Sequence, residues 1–120
     1  MLKTFIESIF KKEKRKLSSI IYVFCSDKRL LEINRQFLNH DFYTDIITFD
    51  LSGPGSIEAE IYISVDRVKG NAKNIGTSFK SELRRVIFHG VLHLCGYRDK
   101  TKAEKTEMRK KEEFYLSKYG

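Results

Sequence analysis

Two histidines, His89 and His93, stand four residues apart in the segment F-H-G-V-L-H-L-C-G-Y-R-D-K, residues 88–100. At that spacing both imidazoles leave the same face of a helix, about one turn apart. Two nitrogens so placed can meet one metal ion without distorting the backbone. Three residues beyond His93, Gly96 supplies a position where a helix can stop in a left-handed conformation. That reversal brings Asp99 back over the helix end as a third ligand. The pattern H-x-x-x-H-x-x-G-x-x-D is close to the metalloprotease arrangement of two helical histidines, a glycine turn and a third histidine. Three protein ligands leave a fourth position open for water, which distinguishes a catalytic centre from a closed structural one.

Neighbouring positions narrow the chemistry. Zinc peptidases carry a glutamate base directly after the first histidine; here that residue is Gly90, which has no side chain to take a proton. Peptide hydrolysis by that mechanism is therefore disfavoured. Asp99 in place of a third imidazole brings negative charge to the ion, holding it tightly, weakening it as a Lewis acid and admitting divalent metals besides zinc. Cys95 lies two residues past His93, about 200° round the helix, and reads as a small core residue.

The helix that must carry the histidines starts at Ser78, with Glu82 near its first turn and Phe79, Leu83, Val86, Ile87 and Leu94 as its apolar stripe. Residues 2–17 place Leu2, Phe5, Ile6, Ile9 and Phe10 on one helical face, followed by a basic run. Residues 19–25, S-I-I-Y-V-F-C, predict a strand covered on both faces. A helix follows from Ser26 and Asp27 through Leu30, Leu31, Asn34, Phe37 and Leu38, and residues 39–43 break it. Residues 44–51 and 58–64 read as strands joined by Ser52-Gly53-Pro54-Gly55, hence a hairpin. In the second of these strands Ile61 and Ile63 share one face, Glu60 and Tyr62 the other. A short helix ends at Gly76, and a charge-rich one spans about 101–118 with Met108, Phe114 and Leu116 as its apolar contacts. The class is α+β.

The chain has 120 residues, 41% hydrophobic and 32% charged, which suits one globular domain over 1–120. No apolar run approaches the roughly 18 residues of a membrane span, and no small-residue cleavage site follows the opening apolar residues as a signal peptide requires. Twenty-three basic against 16 acidic residues give a net charge of +7, which fits a polyanionic partner such as nucleic acid or the ribosome. Only two cysteines, Cys25 and Cys95, suit a reducing cytoplasmic setting.

The segment H-G-V-L-H-L-C-G-Y-R-D resembles the signature of the YbeY family, bacterial ribosomal-RNA maturation endoribonucleases. The resemblance extends to Leu31–Asn34 with Phe37 and Leu38, to T-D-I-I-T-F at 44–49, and to E-I-Y-I-S at 60–64. It covers roughly residues 20–100. It implies a small mixed sheet wrapped by helices, a zinc ion on His89, His93 and Asp99, and work on 16S rRNA ends and ribosome quality control. Three positions depart from the family pattern. The third ligand there is most often histidine. An arginine serving RNA or phosphate commonly stands where Leu38 stands here, so His40, Arg35 or another basic residue must substitute. The family usually opens with a β-strand; this chain starts in a helix, so the sheet lacks that strand or the start lies further upstream.

On this resemblance, metal-bound water attacks a phosphodiester of RNA. Arg85, one turn before His89, is the first choice to hold a flanking phosphate, with Arg98 at the cleft rim. Glu60 is the spare carboxylate for acid/base work. Thr44 and Asp45 read as turn and strand-start chemistry, and the aromatic pair Phe42 and Tyr43 either stacks bases or fills the core. Two other classes stay open: a non-catalytic ribosome assembly factor with a closed structural metal, and a small-substrate metallohydrolase with a deep apolar pocket.

Overall fold

Serine side chains start three of the helices. Ser26, Ser64 and Ser78 each accept the backbone N–H of the third residue on, at 3.1 Å, which satisfies one orphan donor of a first turn. A computed structural model, which describes residues 2–119, arranges the chain as α1 (Leu2–Lys12), β1 (Leu17–Cys25), α2 (Asp27–Leu38), β2 (Ile46–Asp50), β3 (Ile57–Ser64), α3 (Val65–Ile75), α4 (Phe79–Leu94) and α5 (Lys102–Tyr119). The first helix stops short of the predicted 17, because Lys14 turns at φ 60° and Leu17 already pairs with Ile57.

The strands form one mixed sheet in the order β1-β3-β2. Central β3 runs parallel to β1, with Tyr22 opposite Ile61, and antiparallel to β2, with Thr48 opposite the same Ile61. The fold is thus α+β, a small mixed sheet wrapped by five helices, with the predicted hairpin between β2 and β3.

Alternation along β3 divides the core into two layers. Ala59, Ile61 and Ile63 pack with Ile9 and Phe10 of α1 and with Val86, Phe88, Val91 and Leu92 of α4. On the other face Ile47, Phe49 and Tyr62 meet Leu30 and Ile33 of α2. Each such side chain stabilises the fold by about 1.5–3 kcal/mol.

The strand expectations need two corrections. β1 is an edge strand, not a strand covered on both faces: Ile21 and Phe24 are more than half exposed. A continuous apolar run cannot say which neighbours are present, and α2 packs instead against β2 and β3. Glu60, expected to be a carboxylate free for acid/base work, stands on the central strand and accepts a hydrogen bond from Tyr62.

The helix bearing the histidines lies close over this sheet. A Cβ on Gly90 would come within 2.9 Å of Ile46 Cδ1 and 3.3 Å of Thr48 Oγ1. Glycine suits the close approach, since any side chain there would have to push the ends of Ile46 and Ile61 aside.

Candidate metal centre

The end of α4 is a glycine-terminated reversal. Gly96 takes φ 104°, its N–H donates to His93 O at 3.0 Å, and the N–H of Tyr97 donates to Leu92 O at 3.0 Å. These two bonds satisfy helix-end carbonyls and turn the chain back. The turn aims the Tyr97 carbonyl at His93 Nδ1, 2.9 Å away, and carries Asp99 over the helix end.

Three donor atoms converge there. His89 Nε2 and His93 Nε2 are 3.0 Å apart, and Asp99 Oδ2 lies 3.2 Å from the first and 3.3 Å from the second. Ligands about 2.0–2.1 Å from a tetrahedral ion stand about 3.3 Å from one another, so the triangle fits one small cation. Tautomers strengthen the case. The Tyr97 carbonyl only accepts, so His93 carries its proton on Nδ1. His89 Nδ1 faces the Glu112 carboxylate at 2.5 Å and carries its proton there too. In the neutral rings both Nε2 lone pairs therefore point at each other and at a carboxylate oxygen. Three converging acceptors repel unless a cation lies among them.

Glu112 belongs to a buried chain of charges. Arg85 Nη1 donates to Glu112 Oε1 at 3.2 Å, and its Nε donates to Glu82 Oε1 at 3.0 Å, with a second bond from Nη2 to the other Glu82 oxygen. Burial works to raise the Glu112 carboxyl, but His89 and Arg85 outweigh it and hold it below the usual carboxylate range. Burial likewise works against charge on His89, yet Glu112, Asp99 and Asp45 together raise its pKa. This is the carboxylate–histidine pairing that fixes ring orientation in metal sites.

The donors open into a groove of about 510 Å³ that Thr44, Asp45, Thr48, His40 and Phe42 also line. Burial raises the Asp45 carboxyl, against the pull of His89 and Arg85. On the other side of the donors, Arg98 and Lys100 line a shallow hollow with His93 and Asp99. A larger groove between α1 and β1, about 610 Å³, holds no part of this constellation.

His89, His93 and Asp99 thus stand together, as their spacing predicts, and form a group able to hold a metal. Arg85 lies next to them but is committed to Glu82 and Glu112, with its side chain only 21% exposed, so it is not a free cation for phosphate. Glu60 is not at the site. It pairs with Phe49 and takes a hydrogen bond from Tyr62 on the sheet face covered by α2, whereas α4 sits on the opposite face over Ile61 and Thr48. Of the basic residues weighed against the family's arginine, Arg35 is tied to Asp41 at 2.5 Å and His40 lines the groove. Cys95 is buried, which pushes its thiol up to about 12, and it is not among the three converging donors. Glu112 was missed, although a signal exists: Met108, Glu112 and Tyr115 form one row of α5, and all three are buried.

A sequence model of the family described as Endoribonuclease YbeY matches residues 1–120. A relative of that name from Cytophaga hutchinsonii is 54% identical over 117 residues, 97% of this chain and 82% of that protein. Another from Flavobacterium psychrophilum is 48% identical over 108 residues, 90% and 77% of the two chains. The solution structure of a Thermotoga maritima protein superposes with a TM-score of 0.70 at 34% identity, covering 96% of this chain and 76% of that one. A match over the whole sequence, and close relatives aligned through the histidine helix, carry one conclusion: this chain belongs to the endoribonuclease YbeY family.

Proposed function

We propose that the chain is a zinc-dependent endoribonuclease that hydrolyses phosphodiesters of 16S rRNA during its maturation and in ribosome quality control, working in the cytoplasm. The observation that supports it is the convergence of two Nε2 lone pairs and one carboxylate oxygen at the floor of an open groove. Two imidazoles and one carboxylate at tetrahedral separations suit zinc, and the carboxylate leaves other divalent transition metals in competition. When bound, the cation supplies a Lewis acid that acidifies water and stabilises negative charge at a phosphodiester.

The chain's own residues do the remainder. Glu112 and the Tyr97 carbonyl hold the two rings in the tautomer that ligates. Arg98 and Lys100 lie where flanking phosphates would pass. Asp45 takes the proton-handling role expected of Glu60, since it is the carboxyl that shares the groove with the donors. The open groove favours catalysis over a closed structural metal, and its polar wall of Thr44, Asp45 and Thr48 suits a phosphodiester better than a small apolar substrate. Among the described residues no helix is long and apolar enough to cross a membrane, and two free thiols suit a reducing compartment.

The deciding experiment is cleavage of single-stranded RNA by the purified protein beside His93→Ala and Asp99→Ala. The reading requires loss in both variants with folding intact, and loss on chelation that zinc reverses. Equal cleavage in all three would point to a contaminant. No cleavage of free RNA or of 16S precursor in ribosomal particles would leave the assembly-factor reading in its place.

A further inference from the structure

We propose that His40 and Phe42 form a platform on which an unpaired base of the RNA stacks beside the metal centre; this rests on the endoribonuclease reading above. Asn39 caps the C-terminus of α2 and turns the chain at φ 56°. The loop that follows is held by one buried residue. Asn34, 1% exposed, accepts the His40 N–H on its backbone carbonyl at 3.1 Å, and its Nδ2 donates to the Phe42 carbonyl at 2.9 Å. The loop is therefore built rather than slack, and it presents the two rings stacked, with centroids 5.1 Å apart and planes 22° from parallel.

The core does not use these rings. Phe42 is 54% exposed and His40 is exposed as well, yet both line the groove that contains His89, His93 and Asp99. Phe37, Leu38 and Tyr43 extend the exposed apolar surface beside them. Two features favour RNA over a protein partner as the occupant. The rings share a groove with the reactive centre, and the chain carries a net +7 that attracts a polyanion. Exposed aromatics hold single strands by stacking, which needs no particular base; the groove itself carries Asp45, Asp50 and Asp99, so the attraction for a polyanion comes from the chain as a whole and from a cation on the donors. Bases within a duplex are already stacked and paired, so the platform accepts only a nucleotide free of both. The platform then favours binding of unpaired RNA.

The test is equilibrium binding of a short fluorescent single-stranded RNA in chelator, where no cleavage intrudes, compared with an abasic strand of the same length. Phe42→Ala should weaken binding of the RNA about tenfold, Phe42→Trp should restore it, and the abasic strand should bind all three alike. His40→Ala, which removes the supporting ring, should weaken RNA binding in the same base-dependent way. Only the backbone carbonyl of Phe42 bonds Asn34, so the loop survives the substitution; if Phe42→Ala fails to fold, His40→Ala decides. Unchanged RNA affinity, or an equal loss for the abasic strand, would overturn the platform while leaving the nuclease reading intact. A base-dependent loss in a protein that cuts no RNA when loaded with metal would do the reverse.

Discussion

Glu112 and His89 meet across the α4–α5 interface, Oε2 to Nδ1 at 2.5 Å, with the carboxylate side chain 3% exposed. The pair fixes which nitrogen of His89 bears the proton and so which one faces the groove. Glu112→Gln keeps the shape and removes the charge. Metal affinity should fall by about 10–100-fold, as for other outer partners of ligating histidines, measured by competition with a chromophoric chelator. Unchanged affinity would mean that Glu112 only fills space.

Arg85 and Arg98 should separate cleanly in two measurements. Arg85 lies between two carboxylates whose side chains are 1% and 3% exposed. Removing it leaves Glu82 without a partner in the interior and Glu112 with His89 alone, at a cost of about 3–5 kcal/mol in urea unfolding. Arg98 enters no ion pair found among the described residues, and Arg98→Ala should change stability by no more than about 0.5 kcal/mol. The same variant should lower the salt dependence of single-stranded RNA binding by a slope of about 0.7, the signature of one lost phosphate contact. Equal stability losses, or an unchanged slope, would contradict these assignments.

What the sequence disclosed followed the distance along the chain. His89, His93, Gly96 and Asp99 lie within one helix end and its turn, so spacing alone determines their meeting. Glu112 stands 23 residues beyond His89 and reaches it only through the docking of α5 on α4. Asp45 reaches the groove only because β2 lies under α4. Alternation correctly put Glu60 and Tyr62 on one face of their strand, but could not say which face α4 covers. The exposed side of β1 was hidden for the same reason, since apolar residues do not record their neighbours.

Gly90 offers a test of that close helix–sheet approach. Alanine in an exposed helix interior gains about 1 kcal/mol over glycine. Here the added Cβ would stand 2.9 Å from Ile46 Cδ1 and 3.3 Å from Ile61 Cδ1, and overpacking costs about 1–3 kcal/mol. Gly90→Ala should therefore be destabilising. Ile46→Val removes the nearest atom, so the double variant should be more stable than the sum of the single losses predicts. Additive losses in urea unfolding, or a stabilising Gly90→Ala, would show that α4 stands further from β2.

Acid should loosen the frame of the metal site through Glu13. Its carboxylate accepts hydrogen bonds from Tyr97 Oη at 2.8 Å, from Tyr115 Oη and from Lys111 Nζ at 3.4 Å. Burial works to raise its pKa, but Tyr115, Tyr97 and Lys111 outweigh it and hold the group below its ordinary 4.5. A carboxyl depressed in the folded state contributes its full stability above the unfolded value and loses it as pH falls through the folded one. The consequence reaches both histidines, because the Tyr97 carbonyl holds His93 and Tyr115 belongs to the helix that carries Glu112. Relative to wild type, Glu13→Gln should cost about 1.5–3 kcal/mol near neutral pH. The gap should narrow as the pH drops below 4.5 and close once the native carboxylate is protonated. A gap that stays constant from neutral to acid pH would show that the tyrosines pack beside Glu13 without depending on its charge.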